Sequence, residues 1–317
     1  MADLASRISA DLNVSEAYVR TLGKMASHLY KEYTIPKRAG GVRKIEHPAR
    51  ELKAVQRWLL LNVVESLPIH EAAQAYKKGS NILLHATLHQ RSDYLLRLDF
   101  RDFFHSITAA DLSLRLKASA QRLPAWWSAD DSGLFCQIVC RYQRLTIGAV
   151  TSPSVSNAVC FELDKLLRER CDAEQITYSR YADDMFFSSQ KSRSLAHLPL
   201  VVKSTIRSLG CPSGLVLNES KTLFSSRRQR RVVTGVVLTS QGGVSLGRRL
   251  KRYLRSLVHQ YDTLTPKKRE WLTGFLAHAR SVEPEFINRM ILKYGAELVN
   301  RALQPGTKRK ARVPESR

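Results

Sequence analysis

The chain has 317 residues, 44% of them hydrophobic, with a formal net charge of +23 and a pI of about 10.1. That is enough apolar content for a sizeable core and length for about two folding units. The charge points to a polyanionic partner, because each cation set on a phosphate releases condensed counterions. The longest strongly apolar run, near Trp58 to Val64, falls far short of the roughly 20 residues that cross a bilayer, and Met1 to Arg20 has no apolar signal core, so a cytoplasmic protein without a membrane partner is expected.

In chain order, the first segment reads as a modestly amphipathic helix to about Tyr33. Pro36 to Gly41, with its Gly40-Gly41 pair, is a breaker. Arg43 to Glu46 alternates like a short strand that Pro48 ends. Glu51 to Leu67 has helical period, with Leu52, Val55, Leu59 and Val63 on one side. Tyr94 to Asp99 is a short strand ending in an acid. Leu134 to Tyr142 and Ser154 to Cys171 read as helices, and Ile176 to Ser189 as two short strands around Asp183 and Asp184. Val232 to Leu238 reads as one more strand, Gly242-Gly243 as a turn, and the remainder as mostly helical. Strands and helices mix without strict alternation, which predicts an α+β fold.

Five cysteines match no disulfide framework and read as buried, reduced thiols. Cys136 and Cys140 share a helical spacing, as do His85 and His89, but nothing in the sequence joins the pairs into a zinc site. Ten lysines and arginines and no acid lie between Ser220 and Tyr261. In the second half of that stretch Leu246, Leu250, Tyr253, Leu254 and Leu257 form an apolar stripe, with arginines largely opposite. A merely solvated face mixes both signs of charge; one sign alone points to a surface that tracks phosphates, with a membrane-surface helix as the rival.

The sharpest local signal is Ser179-Arg180-Tyr181-Ala182-Asp183-Asp184-Met185-Phe186-Phe187, two adjacent acids between apolar runs. Adjacent carboxylates in a turn repel unless cations neutralise them; the plain alternative is a solvated turn. Asp99, ending its own strand, supplies a third acid. Three such acids build an oxygen-rich site for a hard cation such as Mg²⁺, and a pair of ions serves in-line phosphoryl displacement.

Here the sequence resembles the reverse transcriptases. Tyr181-Ala182-Asp183-Asp184 is similar to their YxDD box, and Asp99 with Phe103-Phe104 to their first palm motif. Gly148 to Pro153, followed by Ser156-Asn157, resembles QGxxxSP, with Ile147 in place of Gln and Val150 where Pro is common. Leu217 to Thr222 resembles the later lysine motif, and Arg43 to Leu52 the fingers segment. Val233-Thr234-Gly235 matches the triplet of the bacterial retron enzymes, and His85-Ala86-Thr87-Leu88-His89 their Asn-Ala-x-x-His element with the Asn replaced.

The resemblance implies a right-hand polymerase with fingers, palm and a helical thumb. It implies that Asp99 and Asp183 bridge two Mg²⁺ ions, with Asp184 assisting and the Phe100 carbonyl completing one coordination sphere. Phe104 gates against ribonucleotides, or else is ordinary core. Arg43, with Lys44, meets the incoming triphosphate, or else is a generic basic loop. Gly148 and Ala149 line the nucleotide site. Lys221 neutralises the leaving pyrophosphate, or else is a surface cation; Asp102 is a salt-bridging or capping acid. His89, Val233, Thr234, Gly235, Arg248, Arg249, Arg252 and Arg255 are expected on RNA. The implied partners are a cognate structured noncoding RNA and its DNA product, deoxynucleoside triphosphates and a separate effector protein. The implied activity is branched RNA–DNA synthesis primed from a guanosine 2′-hydroxyl, in antiphage defence. A group II intron-like or other bacterial reverse transcriptase, and a non-catalytic RNA-binding scaffold, are the alternatives. The expected segments are 1–35 (N-terminal helical), 36–240 (fingers and palm), 241–303 (thumb) and 304–317 (basic tail).

Overall fold

The structure is a computed structural model that describes residues 3–37 and 40–304. The chain runs α1 (Leu4–Leu12), α2 (Glu16–Met25), β1 (Tyr30–Pro36), β2 (Val42–Pro48), α3 (Arg50–Asn62), α4 (Ile82–His89), β3 (Tyr94–Asp99), α5 (Phe103–Ser106), α6 (Ala109–Ala118), α7 (Asp131–Val139), α8 (Ser152–Val159) and α9 (Phe161–Ala173). It continues through β4 (Thr177–Tyr181), β5 (Asp184–Ser189), α10 (Leu198–Leu209), β6 (Leu223–Ser226), β7 (Arg231–Val233), β8 (Val236–Leu238), β9 (Val244–Ser245), α11 (Arg248–His259), α12 (Pro266–Val282), α13 (Pro284–Tyr294) and α14 (Ala296–Leu303). Helices and antiparallel strands mix as an α+β protein requires. Among the described residues no helix is long and apolar enough to cross a membrane.

Two compact units divide the chain. The first takes Met1–Asn81 and Ser92–Ser225, the second Ile82–Arg91 and Ser226–Arg317. The second unit therefore borrows α4 from the middle of the chain and begins before the boundary expected at 240. The expected basic tail falls, from Pro305 on, outside the described residues.

In the first unit a four-stranded sheet has the order β4-β5-β3-β6. Its core includes Leu96, Leu98, Met185 and Phe187 from the strands, Leu163 and Leu167 from α9, and Leu4, Ile8 and Leu59 from the N-terminal helices. The N-terminus is fixed by side-chain chemistry as well as packing: the Leu4 amide donates to Asp131 at 2.8 Å and the Trp58 indole to Asp11 at 2.7 Å. A separate hairpin, β1–β2, pairs Tyr30 with Pro48 through Pro36 with Val42. This corrects the helical reading to Tyr33. The run Tyr-Lys-Glu-Tyr-Thr-Ile is rich in aromatic and β-branched residues, and pairing across the Gly40-Gly41 turn overrides weak helical periodicity. Arg141 holds the hairpin in place, reaching Glu32 at 2.5 Å, Glu46 at 2.6 Å and the Ser27 carbonyl at 3.0 Å.

Three smaller expectations also change. The helix from Leu134 stops at Val139, and Tyr142 and Gln143 take positive φ in a tight turn. The Ser154–Cys171 helix is broken at Cys160 into α8 and α9. Val232–Leu238 is a hairpin, with Val233 paired to Val236 across Thr234 (φ 46°) and Gly235 (φ 88°). A two-residue turn with both φ positive suits the twist of the flanking strands, and Gly at its second position removes half the strain. All five cysteines are free thiols, four buried and Cys211 partly so.

In the second unit α4 packs on the β7-β8-β9 sheet, and α11 to α14 pack on one another around Leu254, Leu272, Leu276, Phe286 and Val299. In α11 Leu246, just before the helix, Leu254 and Leu257 are buried and Arg248, Arg249 and Arg252 exposed, as the stripe predicted. Tyr253 departs from it: the ring is 49% exposed.

Candidate active site

The site is built where β3 meets the β4–β5 hairpin. Antiparallel register sets Asp99, the last residue of β3, directly opposite Asp184, the first of β5, and Tyr181 opposite Asp184 on the other side. Ala182 and Asp183 form the two-residue turn between them, with Ala182 at φ 57°. The Phe100 amide donates to the Asp183 carbonyl at 3.0 Å, which ties the end of β3 to this turn. A strand end and a tight hairpin thus bring three carboxylates 85 positions apart in sequence to one edge of the sheet.

Each acid has a different electrostatic setting. Asp99 is 2% exposed, and both its oxygens accept from Lys221 Nζ at 2.9 Å. The Asn218 amide donates to the Asp99 carbonyl at 2.8 Å, so the lysine motif is bound to β3 by backbone as well as charge. Asp184 takes a bidentate guanidinium from Arg97 at 2.8–2.9 Å. Burial still pushes the Asp184 carboxyl up to about 6, against the pull of Arg97 and with the charges of Asp183 and Asp99 adding to it. Burial also raises Asp183, and the negative charge of Asp99 adds to it, while Lys221 and Arg43 oppose. Asp183 makes no ion pair among the described residues, so it is the carboxylate left open.

These donors suit a hard divalent cation: they are carboxylate oxygens, crowded and short of positive charge at Asp183. Among the described residues no three His, Cys, Asp or Glu side chains already converge as a cage. Lys221 and Arg97 hold two of the acids instead, so a cation at these acids would have to exchange with the protein's own charges.

The hairpin has an anchor that the sequence reading passed over. Arg180 is fully buried; it pairs with Asp164 of α9 through Nε at 2.8 Å and Nη2 at 2.6 Å, and its Nη1 donates to the Ala182 carbonyl at 3.0 Å. Tyr178 donates to the same Asp164 at 2.8 Å. A buried arginine leaves no charge unmatched here, and it grips the peptide immediately before Asp183. The signal in sequence was an arginine between aromatic residues in the short strand Thr177-Tyr178-Ser179-Arg180-Tyr181 just before the acidic turn.

The other predicted residues are distributed as follows. Phe104 is half-buried and packs edge-on to Phe103. Asp102 neither caps nor bridges: at φ 46° it lies outside the extended region from which an N-cap side chain reaches back to the helix, and α5 has no side-chain cap. Arg43 is exposed on β2 and its charge is felt at Asp183. Lys44 pairs instead with Glu32 at 2.7 Å. Gly148 is required by the backbone, since at φ 126° an added Cβ would stand 2.6 Å from the Glu46 carbonyl oxygen. Ile147 contributes its carbonyl, which accepts from the Glu46 amide at 2.8 Å, and this contact does not depend on the side chain. Ala149 is buried beside it.

In the second unit Thr234 Oγ1 lies 3.4 Å from His85 Nδ1, so the Val-Thr-Gly turn rests on α4. His89 is fully buried, and burial pushes its imidazole down to about 3 and that of His85 to about 4. A ring so placed is not offered to an RNA, and Val233 is likewise buried, which corrects both as side-chain contacts. Arg248, Arg249 and Arg252 are exposed, while Arg255 is half-buried over the Phe286 ring at 5.3 Å.

Residues 35–271 match the family described as reverse transcriptase (RNA-dependent DNA polymerase). The Retron Ec83 reverse transcriptase of Escherichia coli is 37% identical over 308 residues, covering 92% of this chain and 96% of that protein. The Retron Ec86 reverse transcriptase of the same organism is 30% identical over 304 residues, covering 93% and 92%. Among solved structures, telomerase from Candida albicans in complex with a TWJ fragment of telomeric RNA superposes with a TM-score of 0.52 at 11% identity, over 86% of this chain and 56% of that one. This last likeness is one of fold, and the chain spans little more than half the telomerase.

Proposed function

This chain belongs to the reverse transcriptase family, among its bacterial retron enzymes, and from that premise we propose that it binds a cognate structured noncoding RNA and copies part of it into single-stranded DNA. The chain is an RNA-directed DNA polymerase. The observation that carries the finer reading is the register that sets Asp99 opposite Asp184 with Asp183 in the turn between them.

Asp99 and Asp183 would hold two Mg²⁺ ions, with Asp184 and the Phe100 carbonyl assisting. Such ions, when bound, activate the attacking hydroxyl and stabilise the leaving oxygen. The chain's own groups do the rest. Lys221, held at Asp99, is placed to neutralise charge on the departing pyrophosphate. Arg43 offers a planar guanidinium to triphosphate oxygens. Phe104 fills the space beneath the nucleotide sugar, and Gly148 and Ala149 keep the neighbouring backbone close. In this reading residues 36–240 act as fingers and palm and 241–303 as thumb. Priming from a guanosine 2′-hydroxyl, a branched product, a separate effector protein and a role in antiphage defence complete the proposal by kinship with retron enzymes.

Asp183→Asn and Asp99→Asn test it. An amide keeps the shape and loses the charge, so both variants should fail to extend a primer on an RNA template while binding RNA as the parent does. Extension by both at the parental rate, measured beside gel-shift affinity, would remove the metal assignment.

A further inference from the structure

Two large rings on the second unit stand in solvent: Tyr253 of α11 is 49% exposed and Trp271 of α12 is 40% exposed. They belong to a continuous ladder. Tyr253 meets Trp271 edge-on at 5.6 Å, Trp271 stacks on Phe275 at 3.9 Å and 25°, and Phe275 meets His278 at 6.5 Å and 89°. Lys267, Trp271, Phe275 and His278 recur at helical spacing and share one face of α12, while Leu272, Leu276, Ala279 and Val282 are its buried residues. The ladder is thus a surface feature beside the core of this unit.

Its surroundings are mainly basic. Arg249 lies one turn before Tyr253 and Arg252 is adjacent to it; Lys267 and Lys268 lie one turn before Trp271. All four are exposed, and none makes an ion pair with another described residue. Glu270, the one acid of α12, is a quarter-turn around the helix from Trp271.

We propose that this ladder is a stacking platform for unpaired nucleobases of the bound RNA, with the four cations on the adjoining phosphates. The proposal rests on the reading that the chain binds structured RNA and names where unpaired segments of it dock. Every base offers a π-face to an aromatic ring, and cations beside such rings follow the backbone of a single strand. An apolar protein surface would instead have to desolvate four cations without partners.

The probes are a stem–loop RNA with an all-uridine loop and the same stem as a blunt duplex, each bound to the full chain. Trp271→Ala and Tyr253→Ala should each weaken loop binding by roughly five- to a hundredfold, the range of one lost base stack. Duplex affinity and the salt dependence should stay as in the parent, because no charge is lost. Trp271→Phe should restore most of the affinity. Loop 5-iodouridine irradiated on the unaltered protein should crosslink to Tyr253 or Trp271, a readout that does not depend on how the variants fold. Unchanged loop affinity in both alanine variants, equal loss for loop and duplex, or crosslinks only elsewhere would overturn the proposal. If the ring variants are silent while neutralising the α11 arginines still weakens binding, the RNA-binding reading stands and the platform fails. If the parent binds neither RNA, both fall.

Discussion

Phe104 and Gly148 show how much a single position decides. Phe104 is half-buried against Phe103, so its ring is held by packing yet keeps a free side. Phe104→Ala is expected to raise ribonucleotide incorporation relative to deoxynucleotide by roughly ten- to a hundredfold, the range over which a steric pocket discriminates a single added hydroxyl. Single-nucleotide incorporation measures the ratio; an unchanged ratio makes Phe104 plain core. Gly148→Ala meets both a positive φ and the Glu46 carbonyl, so it should lower stability by about 1–3 kcal/mol and raise the KM for nucleotide as β2 is pushed away. Gly133→Ala is the control. It lies in α7 with open space where its Cβ would stand, and should be neutral or stabilising in a thermal melt. The sequence motif marked Gly148, but the reason for glycine there, a close approach between β2 and a loop 100 residues later, is visible only in the fold.

At the scale of elements, α4 carries two buried imidazoles with depressed values, about 4 for His85 and about 3 for His89. A base whose folded value lies below its unfolded one is neutral in the fold and takes up a proton on unfolding. Stability from these two is therefore fully present above about pH 6.5 and is lost as pH falls from there towards 4, at about 1.4 kcal/mol per pH unit for each ring. Melting of the second unit should drop across that window, and His89→Leu should flatten the dependence; a melting temperature constant from pH 7 to 4.5 contradicts the burial of α4. The helical spacing of His85 and His89 was plain in the sequence. That the helix is enclosed against β7 and β8, rather than presenting its histidines, was not, because hydrophobic periodicity marks one face and α4 is apolar nearly all round. Tyr253 teaches the converse: it fits the apolar stripe of α11 and yet stays exposed beside Trp271.

For the whole molecule the governing number is the charge of +23. Arg248, Arg249 and Arg252 are exposed without ion pairs among the described residues, whereas Lys251 is held by Glu283 at 2.9 Å. Replacing the three arginines by glutamine should weaken RNA binding and reduce the slope of log affinity against log salt by roughly 2.1–2.7, since each phosphate contact contributes about 0.7–0.9. Polymerisation on a saturating pre-annealed template should suffer less. Coincident slopes would return the solvated-face or membrane-surface reading of this helix.

The sequence by itself determined the family. The motifs around Asp99, Asp183-Asp184 and Lys221 and the basic stretch after Ser220 were all legible, because each is a contiguous run of particular residue types, and such runs are local. The α+β mixture followed from periodicity for the same reason. Tertiary structure alone decided the rest. Arg180 became the clamp on Ala182 because Asp164, sixteen residues away on another element, neutralises it in the core. Tyr30–Pro36 became a strand because Val42–Pro48 satisfies its backbone. Lys221 became the partner of Asp99 across 122 positions. Local patterns report what a segment can do alone; ion pairs, strand pairing and burial depend on partners distant in the chain, and no window along the sequence contains them.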